Sequence, residues 1–276
     1  TGEPVWPIEE RAVSVSDVPG ERASETQPFP TKPPAFDRQG LTIDDLIDFT
    51  PELRQEAISI VEQHRYGPMF TPPSLAGEGD DATKGTINVP GYIGGANWEG
   101  AAADPETGIL YVPSATIPSL SGMVEPQSSD ATLNYVRNVT TRVGPQGLPL
   151  TKPPYGRITA IDLNKGEILW QEPNGIGSPQ VRSHPVLAGV ELPPLGGGLD
   201  LVLVTKTLLL SAQPTPNESG FFPLVARDKL TGEVIAEIEL PGRAIGPPVT
   251  YLFKGEQYIG VTVSGTPPEL VVLNIR

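Results

Sequence analysis

The chain has 276 residues, no cysteine and a formal net charge of -14 that is spread along its length. The lack of cysteine excludes disulfides and thiolate metal sites within the chain, and the acidic balance argues against nucleic acid and anionic membrane surfaces as partners. Glycine and proline number 30 and 33, and because both interrupt helices and strands, the sequence predicts many turns. No apolar run reaches the roughly 20 residues that a transmembrane helix needs.

Residues 1–40 are rich in proline and charge, and no hydrophobic period runs through them. Pro28, Pro30, Pro33 and Pro34 exclude a helix in this stretch, because proline lacks the amide donor and restricts the residue before it. We therefore expect an extended segment, a loop packed across a larger body.

A short helical insertion is predicted at about residues 42–65. Thr42 and Asp45 form a Thr-x-x-Asp capping pattern, and Thr50 is followed by proline, which favours the first position of a helix. Apolar residues at helical spacing follow, which predicts two short helices between strands. His64 ends this run and is interpreted as a structural hydrogen-bonding residue rather than a metal ligand.

From about residue 86 onward the sequence consists of short aliphatic and β-branched runs bounded by turns, as in an antiparallel all-β protein. The predicted strands are residues 109–112, 157–162, 168–170, 201–205, 208–211, 224–227, 234–240, 249–253 and 258–263. Lys254 and Gly255 predict a hairpin turn. Residues 115–155 are polar and contain proline, and since they exceed an ordinary connection we interpret them as a functional or interface loop.

One motif recurs, in which a strand ends in aspartate, a tight turn closes on glycine and a second strand returns. Its copies lie at residues 104–111, 162–170 and 228–235, and residues 1–6 match its second half. The turn glycines need a positive φ angle and lie about 60 residues apart. An aromatic residue that can pack between adjacent sheets follows the turn in three copies, at Trp6, Tyr111 and Trp170. This spacing predicts a β-propeller of four-stranded blades, with unrelated hairpins as the simpler alternative.

The copy Ala-Ile-Asp-Leu-Asn-Lys-Gly-Glu-Ile-Leu-Trp at residues 160–170 resembles the tryptophan-docking motif of pyrroloquinoline-quinone (PQQ) dependent dehydrogenases. Residues 66–74, 94–100, 240–242 and 246–251 resemble the membrane-type glucose dehydrogenase branch of that family. The resemblance runs nearly end to end and implies an eight-bladed β-propeller in the whole protein. We expect residues 1–276 to be its C-terminal part, roughly four blades, rather than a naturally short chain that dimerises.

In that family PQQ lies on the propeller axis with a divalent cation, commonly Ca²⁺, and a carboxylate takes the substrate proton while hydride passes to the quinone. The resemblance implies that the catalytic and metal-binding residues lie upstream of this chain, so none is assigned here. It implies a cofactor-binding role for Asn97, whose amide can donate to a quinone oxygen, for Gly95, which lets the backbone approach a planar ligand, and for Trp98. On the residues alone, Asn97 instead caps a turn and Trp98 fills the space between blades.

Glu99 stands where many relatives carry glycine. A carboxylate beside the cofactor pocket suggests a base, with a surface or supporting residue as the favoured interpretation. Tyr92 replaces an asparagine that is common in the glucose dehydrogenase branch, which argues against one sugar-specific contact.

The sequence thus predicts part of a PQQ-dependent dehydrogenase that oxidises an alcohol or aldose sugar in the periplasm and passes electrons to quinone or a cytochrome. Its expected partners are the small-molecule substrate, the acceptor and the N-terminal half of the propeller, with membrane association supplied by a region outside this chain. The alternative is a non-catalytic PQQ-repeat-like propeller that serves as a binding or scaffold protein. The turn at Asn97 and the helical insertion favour the enzyme, because a scaffold needs neither.

Overall fold

A computed structural model describes residues 1–77, 82–141 and 143–275. Its regular structure is mainly β, in short strands joined by turns. The strands are β1 (Ile8–Ala12), β2 (Thr26–Pro30), β3 (Ser74–Leu75), β4 (Thr86–Asn88), β5 (Ala102–Asp104), β6 (Ile109–Ala115), β7 (Ser119–Val124), β8 (Val136–Thr140), β9 (Gly156–Asp162), β10 (Glu167–Pro173), β11 (Leu201–Val204), β12 (Leu208–Ala212), β13 (Phe222–Asp228), β14 (Val234–Leu240), β15 (Val249–Phe253), β16 (Glu256–Val263) and β17 (Glu269–Ile275).

The helical segments of the described residues are short. They are the α-helices α1 (Pro51–Val61) and α2 (Pro179–Arg182) and the 3-10 turns Ile43–Asp45, Pro145–Gly147 and Pro185–Leu187. None of these helices combines the length and the apolar character that crossing a bilayer requires.

The helical insertion predicted at residues 42–65 is confirmed. The carboxylate of Asp45 accepts hydrogen bonds from the amide and hydroxyl of Thr42 at 2.8 and 2.7 Å. The hydroxyl of Thr50 accepts one from the Leu53 amide at 3.2 Å, so it caps α1 as expected. The Nδ1 atom of His64 lies 2.7 Å from the carbonyl oxygen of Ile60, which confirms its structural role.

The chain divides into two compact units. The first contains residues 1–95 and 116–152, and the second contains residues 96–115 and the chain from Pro153 onward.

In the first unit, β1 and β2 form an antiparallel hairpin within the proline-rich segment, where only an extended loop was expected. Residues 115–155 are likewise not a loop throughout, because β7 pairs with β8 and β4 antiparallel and with β3 parallel. The inward positions of β7 include the buried hydroxyl residues Ser119 and Ser121. The Ser121 hydroxyl donates to the Asn88 side-chain oxygen at 2.8 Å. Because these buried positions are polar and not apolar, β7 lacks the alternating apolar pattern from which a strand is predicted.

The second unit contains three antiparallel sheets. The first has the order β10-β9-β6-β5, the second β11-β12-β13-β14 and the third β15-β16-β17. Every strand predicted from residue 109 onward is present, several of them extended by a few residues. The hairpin turn at Lys254 and Gly255 is also confirmed, with φ angles of 52° and 84°. The two four-stranded sheets therefore confirm the predicted blade-like units.

The repeated motif forms the same turn in each of its three complete copies, two of which lie in the first sheet and one in the second. The amides of Gly108, Gly166 and Gly232 donate to the carbonyl oxygens of the aspartates four residues earlier, at 2.8, 2.7 and 2.9 Å. Their φ angles are 73°, 68° and 80°, which a residue with a side chain adopts only at a cost. The shared sequence thus encodes one backbone geometry, as predicted.

Apolar side chains fill the spaces between successive sheets of the second unit. The first space holds Ile109, Tyr111, Ile158 and Trp170 from the first sheet, together with Leu209 from the second. A separate cluster joins the second sheet to the third. Two of the three motif aromatics thus pack between sheets as predicted, whereas Trp6 lies in the first unit and is only partly buried.

The turns of the first two sheets are also joined by polar contacts, which we call the turn junction and define by Asp104, Trp170, Lys229 and Gly232. The Trp170 indole nitrogen donates to the Lys229 carbonyl at 3.2 Å. A Cβ atom on Gly232 would lie 2.9 Å from the Trp170 ring, so only glycine fits beneath the indole. The Lys229 ammonium lies 2.6 Å from an Asp104 carboxylate oxygen, with both side chains at least 90% buried.

Asp200, just before β11, is another buried carboxylate in this unit. One of its oxygens accepts a hydrogen bond from the Asn174 amide at 2.8 Å. The other is buried and has no hydrogen-bond partner among the described residues. Burial raises the pKa of Asp200 to about 8, although the charge of Arg227 and the hydrogen bond from Asn174 oppose this shift.

Candidate functional site

The glycine-rich turn at residues 91–95 is fixed by close backbone packing in the first unit. The Gly94 amide donates to the Gly91 carbonyl at 2.9 Å, and the Tyr92 amide donates to the Ser119 hydroxyl at 3.1 Å. A Cβ atom on Gly91 would come within 2.3 Å of the Ile117 carbonyl oxygen. Glycine is therefore required here by the neighbouring backbone.

Gly95 is buried in the same unit, against a carboxylate. A Cβ atom on Gly95 would lie 2.3 Å from an Asp37 carboxylate oxygen. The other oxygen of Asp37 accepts hydrogen bonds from the Arg38 amide at 2.7 Å and the Thr116 hydroxyl at 2.5 Å. Sequence reasoning predicted that the backbone at Gly95 approaches a planar ligand. Within the described residues, it approaches the side chain of Asp37 instead.

Asn97 and Trp98 begin the second unit and are both exposed. The Asn97 side-chain oxygen accepts a hydrogen bond from the Trp98 amide at 2.8 Å, and its carbonyl accepts one from Gly100 at 3.1 Å. Asn97 therefore caps a turn, as its residue type alone predicts. The Trp98 indole is 82% exposed, so the alternative that it fills a space between blades is wrong for the described residues.

Glu99 follows directly and is half-buried. Its Oε2 atom has almost no exposed surface and no hydrogen-bond partner among the described residues. Since a carboxylate is an acceptor only, this oxygen is suited to a donor group or a cation.

These residues fit part of PQQ, which is a planar quinone that carries three carboxylates. A carboxamide has an NH₂ group that can donate to a quinone oxygen, and the exposed indole of Trp98 offers a flat face for a ring system. The carboxylates of PQQ require cations, which the turn at residues 97–100 does not contain. The turn thus fits the quinone edge and the ring plane of the cofactor but not its acidic groups.

Metal-binding clusters are not found in the described ranges, where no three His, Asp or Glu side chains are grouped to hold an ion. His184, the other histidine of the chain, accepts a hydrogen bond from the Val186 amide at 3.4 Å and caps a 3-10 turn.

Sequence reasoning missed a pocket of about 490 Å³ in the first unit. Its wall includes Phe70, whose φ angle is 67°. A left-handed backbone at a bulky residue has no reliable sequence signal, because glycine or asparagine is expected there. The only hint was the preceding Gly67-Pro68 pair, which predicts a turn without its handedness.

Comparison with known proteins decides the family. Residues 1–259 match the PQQ family described as glucose/ethanol/alcohol dehydrogenase, β-propeller domain. The chain belongs to this family. Its fold is accordingly that of an all-β PQQ propeller domain, in agreement with the prediction.

The chain is similar to several bacterial dehydrogenases. It is 29% identical to the glycerol dehydrogenase large subunit of Gluconobacter oxydans, over 96% of this chain and 38% of the relative. It is 26% identical to the quinate/shikimate dehydrogenase (quinone) of Acinetobacter baylyi and 26% identical to the quinoprotein glucose dehydrogenase of Escherichia coli, in each case over 96% of this chain and 34% of the relative. The chain therefore spans little more than a third of the length of these relatives.

Proposed function

We propose that this chain forms part of a PQQ-dependent dehydrogenase that oxidises an alcohol or aldose sugar by hydride transfer to PQQ. The observation that carries the proposal is the family match over residues 1–259. The exposed turn at Asn97 and Trp98, which presents a carboxamide and an aromatic face together, supports it.

When bound, PQQ would supply the electron-accepting chemistry of the reaction. Asn97 would donate its amide hydrogen to a quinone oxygen while its own oxygen keeps the turn closed through the Trp98 amide. Trp98 would lie against the ring plane and exclude water from it. No catalytic base is assigned to the described residues, and the proton acceptor and the ligands of Ca²⁺ or another divalent cation are proposed to lie upstream.

The proposal also covers the electron acceptor, the rest of the propeller and the location of the enzyme. The acceptor would be a quinone or a cytochrome, and the name of the Acinetobacter relative, which specifies quinone, supports the former. The N-terminal part of the propeller would complete the site. We place the protein in the periplasm, associated with the membrane through a region outside this chain.

A PQQ titration tests the proposed role of Asn97. The protein that carries this chain would be titrated with PQQ in the presence of Ca²⁺, with absorbance or fluorescence as the readout. Asn97→Asp keeps the oxygen that caps the turn but removes the NH₂ donor, so we expect affinity to fall about three- to tenfold, as for the loss of a neutral hydrogen bond. Asn217→Asp is the matched control, since the Asn217 oxygen also caps a turn, at the Ser219 and Phe221 amides.

Equal affinities for the wild type, Asn97→Asp and Asn97→Ala would contradict a donor role for Asn97. A protein that binds no PQQ would contradict the dehydrogenase proposal and favour the alternative of a binding or scaffold propeller. If Asn217→Asp weakened binding as much as Asn97→Asp, a general effect of added negative charge would explain both.

A further inference from the structure

The pocket in the first unit has the dimensions of a small-molecule site. Its volume is about 490 Å³, within the range of roughly 300–1,000 Å³ that is usual for ligand pockets. Its lining includes Met69, Phe70, Ile87, Val89 and Tyr92. Gly94, three residues before Asn97, also lines it, so the stretch that carries the family resemblance forms part of the wall.

The wall of this pocket is held in place before any ligand binds. The Thr71 amide and hydroxyl donate to the Pro68 carbonyl at 3.2 and 2.7 Å and close the turn that presents Phe70. The Phe70 ring packs edge-to-face against Phe29, with centroids 5.5 Å apart. Asn88 is tied to the Thr71 carbonyl at 2.8 Å.

Phe70 has a φ angle of 67°. Such a backbone conformation is strained at a bulky residue, and strained residues cluster at active sites and ligand clamps. The ring is nevertheless 39% exposed, so burial in a core does not account for the strain.

The pocket is uncharged. No Asp, Glu, Lys, Arg or His belongs to its described lining, whose polar side chains include Ser14, Ser24 and Gln27. The Arg137 guanidinium lies nearby, 4.4 Å from the centroid of the Tyr92 ring, but it contacts the ring face and is not part of the lining. An anionic ligand would lose its hydration here without gaining a paired charge.

We infer that this pocket binds an uncharged alcohol with an apolar ring, in preference to a carboxylate of the same size. The apolar wall and the two aromatic rings would contact the ring of the ligand, and the serine and glutamine side chains would reach its hydroxyl group. That this ligand is the substrate of the enzyme rests on the proposed function. The assignment separates neutral cyclic alcohols from ring acids such as quinate.

Binding of a matched pair of probes tests this inference without turnover, PQQ or an electron acceptor. Cyclohexanol and cyclohexanecarboxylate share a ring and differ in charge. Titration calorimetry or saturation-transfer NMR should show saturable binding of cyclohexanol and at least about fivefold weaker binding of the carboxylate. Phe70→Gly, which relieves the strained backbone and removes the ring, should weaken cyclohexanol binding about tenfold, as the loss of an aromatic anchor does.

Gln27→Lys places a cation in the lining and should improve carboxylate binding about fivefold, as a partly exposed ion pair does. Gln55→Lys, the same change on an exposed position of α1, should alter neither probe. The inference would be overturned if both probes bound equally well or if neither showed saturable binding. It would also be overturned if neither Phe70→Gly nor Gln27→Lys changed the binding of the probes. Because the PQQ titration is a separate measurement, binding of cyclohexanol without PQQ binding would leave the pocket assigned and the dehydrogenase proposal contradicted.

Discussion

Two buried aspartates of the second unit have pKa values shifted in opposite directions. At the turn junction, hydrogen bonds from Lys229 and Thr107 lower the pKa of Asp104 to about 2 despite its burial. Beside β11, burial raises the pKa of Asp200 to about 8, because its direct hydrogen-bond partner is the neutral amide of Asn174.

The two shifts have different leading causes: direct contact with a cation lowers the pKa of Asp104, whereas loss of hydration at the more deeply buried Asp200 raises its pKa. Lys229 lies 2.6 Å from Asp104 and outweighs the loss of hydration. Arg227 acts on Asp200 through its charge, but its two terminal nitrogens donate to the carbonyls of Gly232 and Pro173 instead. Asp104 is therefore stabilised as an anion and Asp200 as a neutral acid.

The largest expected effect is that of removing the cation from the turn junction. Lys229→Met leaves Asp104 buried without its ion pair, and breaking a buried pair in this way typically costs about 3–5 kcal/mol. We expect a loss of that size in the free energy of unfolding, measured with urea.

Lys165→Met is the matched control, because the Lys165 side chain is 66% exposed and its pairing with Asp162 at 3.6 Å should contribute less than about 1 kcal/mol. Combining Lys229→Met with Asp104→Asn should restore part of the loss. Equal effects of the two lysine substitutions would show that the buried pair contributes no more than a surface pair.

The second effect is a pH dependence of opposite sign at the two aspartates. Between its ordinary pKa of 3.8 and about 8, Asp200 holds a proton in the folded state only, so stability should fall as pH rises through this window. For one proton the slope cannot exceed about 1.4 kcal/mol per pH unit. Asp104 has a pKa near 2 in the folded state. Stability should therefore fall as the pH drops from 3.8, the ordinary pKa of aspartate, toward 2.

Urea unfolding at pH 5 and pH 8 tests the assignment to Asp200. Asp200→Asn should reduce the loss of stability between these two pH values, whereas Asp130→Asn, at an exposed loop position, should not. An unchanged pH profile in Asp200→Asn would mean that this carboxylate is ionised throughout the window.

The smallest effect isolates the packing of the turn junction from its charges. Gly232 and Gly220 have φ angles of 80° and 85°, but a Cβ atom would meet the Trp170 ring only at Gly232 and has open space at Gly220. Both alanine substitutions should cost about 1–2 kcal/mol for the left-handed backbone. Gly232→Ala should cost about 1 kcal/mol more for the contact with the indole.

Thermal unfolding of the two glycine variants measures that difference. Should both variants unfold at the same temperature, the indole must be able to move away from a methyl group, and it would not fix the spacing of the sheets.

The second unit was largely predictable because the residues that determine its turns and strands are close together in the sequence. Aspartate, glycine and aromatic residues recur at fixed offsets, and each copy forms the same hydrogen-bonded turn. The first unit was less predictable, because its strands are stabilised by contacts that are distant in sequence. Strand β7 pairs with three partners and has buried serines, so neither its length nor its polarity follows the usual pattern.

Some features of the candidate site could likewise be predicted from the sequence, and others could not. The turn-capping role of Asn97 could be inferred from its residue type, whereas the exposure of Trp98 could not, because a tryptophan is more often buried. Gly95 was recognised as a position of close approach, but its partner Asp37 is distant in the chain and carries no recognisable motif. The pocket beside Phe70 depends on a backbone handedness that sequence alone does not encode.

The contact between Asp104 and Lys229 joins residues 125 positions apart. At a synthesis rate of about 5–20 residues per second, the ribosome adds Lys229 roughly 6–25 seconds after Asp104. During that interval the first sheet can assemble, but its Asp104 turn lacks the cation that it will later enclose. The turn junction is therefore a late step in biogenesis, and nascent chains that stop short of it should engage chaperones for longer than finished ones.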